Sequence, residues 1–415
     1  MAKLAINGGP NTINRSLGVA WPEFGDPEEK ALRDVLHSHK WWRGAYAESK
    51  DSWVGRFEDA FTEYQGVKYG VAVTNGTQAI ECALKAIGIR PGDEVICPAS
   101  TFVATATAVI LVNAIPIIVD IEPKYYQIDP DAVEAAITPR TVGIIPVHYG
   151  GYPADMDRIT AIAEKHGLFV VEDAAHAHGT QWKGRGCGSL GDIGCFSLQM
   201  GKGLTCGEGG IVTTQDEQLI QNAYSFHHIG RISGRPFYEH HIVASNLRMT
   251  EWQGAIAYQQ TKRLPEQIQR RTANARYFET GLREIPGVEP MPRRPEMTRW
   301  GCYFYHFKFK SEEFEGLSLY RFQEAMAAEG LSLHSGHLHP IQKNPLFTNR
   351  NFGPVCWPPG VDAPDYAEVE TPVADRILAE EGCAMHHSAL LGNRSDMDLM
   401  LDAIRKVREN VAELM

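Results

Sequence analysis

No stretch of the 415-residue chain approaches the roughly 18 consecutive apolar residues that a membrane-spanning helix needs, so a membrane protein is not expected. Nor does the N-terminal region pair a positively charged segment with an apolar one, so no export signal is expected. The eight cysteines stand far apart, at 82, 97, 187, 195, 206, 302, 356 and 383, without a Cys-x-x-Cys pair. That spacing indicates no disulfide framework, and reduced thiols in a cytoplasmic setting are the expectation. Positive charge is in deficit, with 40 Lys and Arg against 51 Asp and Glu for a net −11, which argues against a nucleic-acid surface. Internal repeats and low-complexity tracts are missing too. Sixteen histidines include His176 and His178 and the pairs His227-His228, His240-His241 and His386-His387. None has a third ligand at a defined spacing, so no metal site is expected.

What is present is an apolar content of 43% and a regular alternation of strand-like and helix-like segments. The length allows two or three domains. Asp26-Pro27-Glu28-Glu29 reads as a helix start with a capping aspartate and proline at the first helical position. Residues 77–89 carry Ala79, Ile80, Ala83, Leu84 and Ile87 at helical spacing. Short apolar strands are expected at 94–97, 116–120, 142–147 and 168–172, separated by helix-length segments. The pattern predicts an α/β fold with a parallel sheet covered on both faces. After residue 260 it changes: residues 301–310 alternate aromatic with polar residues at their end, as a half-exposed strand does. Helices follow around Leu319, Phe322 and Met326, and around Leu401, Ile404, Val407 and Val411. A large domain over 1–260 and a smaller α+β domain over 261–415 are expected, linked by a long helix that the capping-box spacing Thr250-Glu251-Trp252-Gln253 would start.

Three stretches carry chemistry. Lys202 lies in Gly201-Lys202-Gly203 within the apolar and glycine-rich run 195–210, a setting that suits an amine approaching a planar cofactor. Tyr69 to Thr77 reads as a strand and a turn that free backbone N–H groups at a helix start, an anion site. Leu168 to Gly179 reads as a buried strand ending in Glu172-Asp173 and then in small residues, and strand carboxyl ends face the ligand crevice of a doubly wound sheet. An anion cradle, a strand-end carboxylate and a glycine-flanked lysine are what pyridoxal 5′-phosphate requires.

On these stretches, and on Thr138-Pro139-Arg140-Thr141 and Ser245-Asn246-Leu247-Arg248-Met249, the chain resembles the DegT/DnrJ/EryC1/StrS aminotransferases over nearly its whole length. These are fold-type-I pyridoxal-phosphate enzymes acting on keto sugars and keto cyclitols. The resemblance implies Lys202 as the Schiff-base lysine and Asp173 as the partner of the pyridine nitrogen. His176 stands where most members have glutamine, beside the ring hydroxyl, and Phe102 would stack on the ring. Gly76, Thr77 and Ser197 would bind the phosphate, with Asn246 lent by the neighbouring subunit of a homodimer. The opening Leu4 to Gly9, the run 40–44 and Ala175-His176-Ala177-His178 are similar to the branch with inosose aminotransferases and aminohydroxybenzoate synthase. That implies glutamine or glutamate as donor, a cyclic ketone as acceptor and ping-pong kinetics. A nucleotide-linked keto sugar is the alternative acceptor, and other readings are a dehydratase or aromatising lyase of the same fold and a cofactor-binding regulator. Retention of Lys202 favours amino transfer.

Trp41, Trp42 and Arg43, beside Gly44, suggest a mobile active-site loop or plain packing. His148 and Tyr149 end their strand and so point toward the crevice, though a satisfied strand-end histidine fits as well. Gly186-Cys187-Gly188-Ser189-Leu190-Gly191 matches G-x-G-x-x-G, but a polar segment precedes it and a strand follows, the reverse of the dinucleotide motif's context. A glycine-rich loop is expected there.

Overall fold

A computed structural model describes residues 3–415. The N-terminal part runs α1 (Asp26–Ser38), α2 (Trp53–Gln65), β1 (Tyr69–Val73), α3 (Gly76–Ile87), β2 (Glu94–Pro98), α4 (Ala104–Leu111), β3 (Ile115–Val119), α5 (Pro130–Ala135), β4 (Thr141–Ile144), α6 (Met156–His166) and β5 (Phe169–Asp173). Two short strands, β6 (Gln181–Trp182) and β7 (Arg185–Gly186), precede β8 (Ile193–Ser197), β9 (Gly210–Thr214), α7 (Glu217–His227) and the long α8 (Glu251–Leu282). The remainder comprises β10 (Val288–Pro290), β11 (Met297–Arg299), β12 (Phe304–Phe309), α9 (Leu319–Ala328), α10 (Pro345–Thr348), α11 (Pro372–Arg376), β13 (Gly382–His386) and α12 (Arg394–Glu409).

The central sheet has seven strands in the order β1-β9-β8-β5-β4-β2-β3. Alternation sorts its side chains: Val95 and Cys97 of β2 enter the core beneath α3, α4 and α7, while Ile96 enters the core beneath α5 and α6. Phe57, Phe61, Phe196, Leu264 and Ile268 fill a third cluster under α2 and α8. Helices therefore cover both faces. The fold is α/β with a mostly parallel sheet, as the pattern predicts, except at β9, which runs antiparallel to both β1 and β8. A parallel return needs a crossover, usually a helix. Residues 198–209, between β8 and β9, contain no helix or strand, so the chain doubles back. Lys202 sits in that turnback.

Two further expectations are corrected. The helix at Asp26-Pro27 starts one residue early: Asp26 is already helical, Gly25 is the cap, and the Glu28 carboxylate accepts the Gly25 N–H at 2.9 Å. The aromatic strand after residue 301 is not half-exposed. As β12 it is the middle strand of the sheet β10-β12-β13, and Tyr305, His306, Phe307 and Phe309 are all buried. An alternating pattern cannot show that a buried histidine stands in for a solvated one.

The capping box at Thr250 and Gln253 forms and opens α8, which continues through residue 260 to Leu282. One apolar cluster extends from Val71 and Val95 of the central sheet to Phe307, Phe322 and Leu401 of the C-terminal part. The N-terminal segment also binds there: buried Glu329 accepts the N–H groups of Ala5 and Thr12, both at 2.9 Å, and pairs with Lys406 at 2.9 Å.

Candidate active site

β1, β5 and β8 point the same way, and their carboxyl ends open on one cavity of about 850 Å³. Gly76, Thr77, Phe102, Asp173, His176, Ser197 and Lys202 all line it. At its floor α3 begins. The Asn75 side chain accepts the Gln78 N–H at 2.9 Å and the Asn75 carbonyl accepts that of Ala79 at 3.0 Å, so the Gly76 and Thr77 N–H groups remain for a ligand. The helix macrodipole adds positive potential at the same place. Glycine is required at 76 for space: a Cβ there would lie 2.6 Å from Ser197 Cβ.

Asp173, the last residue of β5, is buried, and its two oxygens are held separately. Thr105 Oγ1 donates to Oδ2 at 2.7 Å and the Ala175 N–H donates to Oδ1 at 3.2 Å. Burial pushes this carboxyl up from its ordinary range, while Thr105, the Ala175 N–H and Lys202 pull it back. Across the cavity, burial brings the Lys202 amine down to about 8, against the pull of Asp173. The Lys202 Nζ stands 4.6 Å from the centre of the Tyr303 ring. His176 stacks on the same ring at 4.0 Å, its Nδ1 accepting the Gly150 N–H at 3.2 Å. That bond leaves hydrogen on Nε2, and burial followed by Lys202 keeps the imidazole neutral, well below its ordinary value. Phe102 is 58% exposed, an aromatic face open to the cavity.

The other candidates lie elsewhere in the single chain. Trp42 and Arg43 border a separate cavity of about 370 Å³ with Tyr224, His228 and Arg248. Arg43 is tied inward by Glu58 at 2.7 Å, whose carboxyl burial raises to about 7 against the pull of Arg43. Trp41 packs on Trp252 at 5.4 Å, and Asn246 is exposed beside a bridge to His228. His148 is turned away from the crevice: its ring is fully buried, with Nε2 on Glu172 at 2.8 Å. Burial lowers its basicity and Cys187 and Glu172 raise it, with the net upward. Its Nδ1 already accepts the Ala154 N–H at 3.2 Å, so no second proton fits and the ring stays neutral. Tyr149 packs between His176 and His337, 5.8 and 5.3 Å away, with its hydroxyl buried and unpartnered.

His148, Glu172 and Cys187 bring three potential metal donors within 4.8 Å of one another. These donors have other work. Glu172 also accepts the N–H groups of Gly188 and Leu190 at 2.7 Å and of Gly191 at 2.8 Å. The loop that imitates a dinucleotide motif thus wraps an internal carboxylate.

Gln199, in the run just before Lys202, also lines the cavity, and Thr105, Tyr303, Phe304 and His337 belong to the site without any sequence signal as motifs. Thr105 follows Thr101 by four residues, and their hydroxyls lie 2.8 Å apart.

A family profile described as the DegT/DnrJ/EryC1/StrS aminotransferase family matches residues 22–360. The chain belongs to this family. As an aminotransferase of the DegT/DnrJ/EryC1/StrS family it is similar to L-glutamine:2-deoxy-scyllo-inosose aminotransferase of Micromonospora echinospora, 36% identical with all of both chains covered. L-glutamine:scyllo-inosose aminotransferase of Streptomyces griseus is 35% identical, over 100% of this chain and 99% of that one. Among solved structures, 3-amino-5-hydroxybenzoic acid synthase matches with a TM-score of 0.83 and 32% identity over 94% of this chain and 98% of that one. Family and branch agree with the resemblance carried by the motifs.

Proposed function

We propose that this aminotransferase binds pyridoxal 5′-phosphate in the Lys202 cavity and moves the amino group of L-glutamine, or of glutamate, onto the ketone of a polyhydroxylated ring, a keto cyclitol in preference to a nucleotide-linked sugar. The observation that carries the reading is the meeting of three groups in one cavity: the lowered Lys202 amine, the buried Asp173 carboxylate and the open start of α3. The relatives' names support the donor and the acceptor class.

The donor set fits the cofactor. The Gly76 and Thr77 N–H groups with Ser197 offer a phosphate cradle, and Phe102 offers a face for a planar ring. Asp173 offers a carboxylate to a protonated ring nitrogen, whose positive charge would counter the effect of burial. His176, with hydrogen on Nε2, offers a donor to a ring oxygen. Pyridoxal phosphate, when bound, supplies an aldehyde that captures amines and a ring that accepts electrons. Lys202 must be neutral to attack a carbonyl, and once free it can take a proton from the substrate carbon and return it. Lowering its basicity from the ordinary lysine value to about 8 makes the neutral amine accessible near physiological pH.

The charges around the cavity support a shared site. Among the described residues, Glu81, Asp173 and Glu208 line it with Lys202, and no arginine does. A donor carboxylate requires a cation, and a second copy of the chain is the natural source. Asn246, Trp41, Trp42 and Arg43 would then act across a homodimer. The division of the chain into 1–260 and 261–415 belongs to the same proposal, with α8 running through the boundary.

A donor and acceptor screen with product mass tests the function. The visible spectrum of the cofactor-loaded protein should change with L-glutamine or glutamate alone and revert with an inosose. Turnover of ordinary 2-oxo acids without response to any cyclic ketone contradicts the assignment. Response to nucleotide-linked keto sugars alone preserves the enzyme class and overturns the acceptor.

A further inference from the structure

Residues 198–209, which carry Lys202, form no helix or strand, yet the amine they present has to be fixed. Three ring N–H groups from distant parts of the chain bind this backbone just before the lysine. Trp21 Nε1 donates to the Met200 carbonyl at 2.8 Å. His386 Nε2 and His387 Nε2 both donate to the Gly201 carbonyl, at 2.9 and 3.2 Å. A carbonyl oxygen has two lone pairs, and both are engaged here.

The two imidazoles suit this work. His386 Nδ1 accepts the Ser388 N–H at 3.3 Å and faces Ser388 Oγ at 2.8 Å, which leaves hydrogen on Nε2. Burial lowers the basicity of both histidines, and the fully buried Arg271 lowers it further. Arg271 also lies under the loop: a Cβ at Gly203 would stand 2.9 Å from its Nη1. His386 ends β13 and is in register with Phe304 of β12. Tyr303, the residue before β12, places its ring beneath the Lys202 amine. The same small sheet therefore holds the lysine by its backbone and faces its side chain.

We propose that Trp21, His386 and His387 are positioning residues whose ring N–H groups fix the 199–203 backbone and so set where the Lys202 amine stands, coupling the C-terminal sheet to the reacting nitrogen. The proposal rests on Lys202 being the amine that captures pyridoxal phosphate. A purely structural role would change stability and leave the reactivity of the lysine alone.

The test uses the full chain freed of cofactor, in the variants W21F, H386L, H387L and H386Q, the last keeping an N–H donor. Three quantities are read: the rate at which added pyridoxal phosphate is covalently captured, the basicity of Lys202 by NMR of carbon-labelled, reductively methylated protein, and the thermal midpoint. Capture should slow about threefold in W21F and about tenfold or more in the leucine variants, since small misplacements of a reacting group cost this much. Lys202 basicity should shift in the same order, and H386Q should recover most of the rate irrespective of thermal midpoint. Wild-type capture and basicity in W21F and the leucine variants overturn the proposal, and so does an H386Q variant as slow as H386L. If the leucine variants do not fold, W21F at the wild-type rate overturns it by itself. Failure of the underlying reading looks different: the wild-type protein would capture no pyridoxal phosphate or capture it on another lysine, while Lys202 basicity without cofactor would still report on the clamp.

Discussion

An ordinary lysine is charged at neutral pH, and Lys202 departs from that only through its surroundings. Its basicity falls from 10.5 to about 8 because burial penalises the ammonium form. Below about pH 8 the amine is charged in folded and unfolded chains alike, and the folded chain bears the desolvation cost. Between about 8 and the ordinary lysine value the unfolded chain holds a proton that the folded chain has released, so stability rises with pH. K202M should therefore stabilise the cofactor-free protein at neutral pH by about 1–3 kcal/mol, the lower end applying because the cavity admits water, and the gain should shrink toward about pH 10. Urea unfolding at the two pH values measures it, and no gain at neutral pH contradicts a buried amine. Asp173 gives a second prediction: D173N should keep its fold and retain cofactor yet lose most turnover, because an amide cannot hold a ring proton. Near-normal kcat in that variant removes the assignment. Lys202 and Asp173 were legible as candidates because glycine flanks and a strand-end carboxylate are local patterns, and both line the one cavity. Thr105, which holds Asp173 Oδ2, and Tyr303, beneath the amine, were not, since the fold alone brings residues so distant in sequence together.

At the scale of elements, periodicity revealed most of the central sheet, because β2, β3, β4 and β5 are short, apolar and separated by helices. It did not reveal the reversal of β9, whose direction depends on what lies between it and β8. The reversal matters for the site, since it turns residues 198–209 into a loop at the carboxyl ends of the parallel strands. The glycine-rich loop after β7 was legible as a loop but not as the wrapping of Glu172. That carboxylate satisfies three backbone N–H groups and His148 without solvent, so E172A should cost at least about 3 kcal/mol by leaving those donors buried and unpaired. Chemical denaturation measures the loss; one below about 1 kcal/mol contradicts the role. His148 fitted either a crevice residue or a satisfied strand-end histidine from its place after β4, and the structure shows the second, with its ring buried against Glu172.

For the whole molecule, the proposed homodimer bears on the surface near Asn246. Phe237, Tyr238, Ile242 and Val243, in the segment before Asn246, are all half or more exposed, apolar surface that the proposed partner copy would cover. Mixing K202A with a cofactor-weak Asn246 variant should restore up to about a quarter of wild-type activity, because half of randomly formed dimers are hybrid and each has one intact site. No recovery, or a monomer in sedimentation at working concentration, contradicts shared sites. The central claim is that Lys202 is the amine that carries the chemistry. Borohydride reduction of the pyridoxal-phosphate-loaded protein, followed by peptide mass mapping, tests it most directly: the account predicts the pyridoxyl label on Lys202 alone, whereas a label on Lys183 or Lys85, or no label, would contradict it.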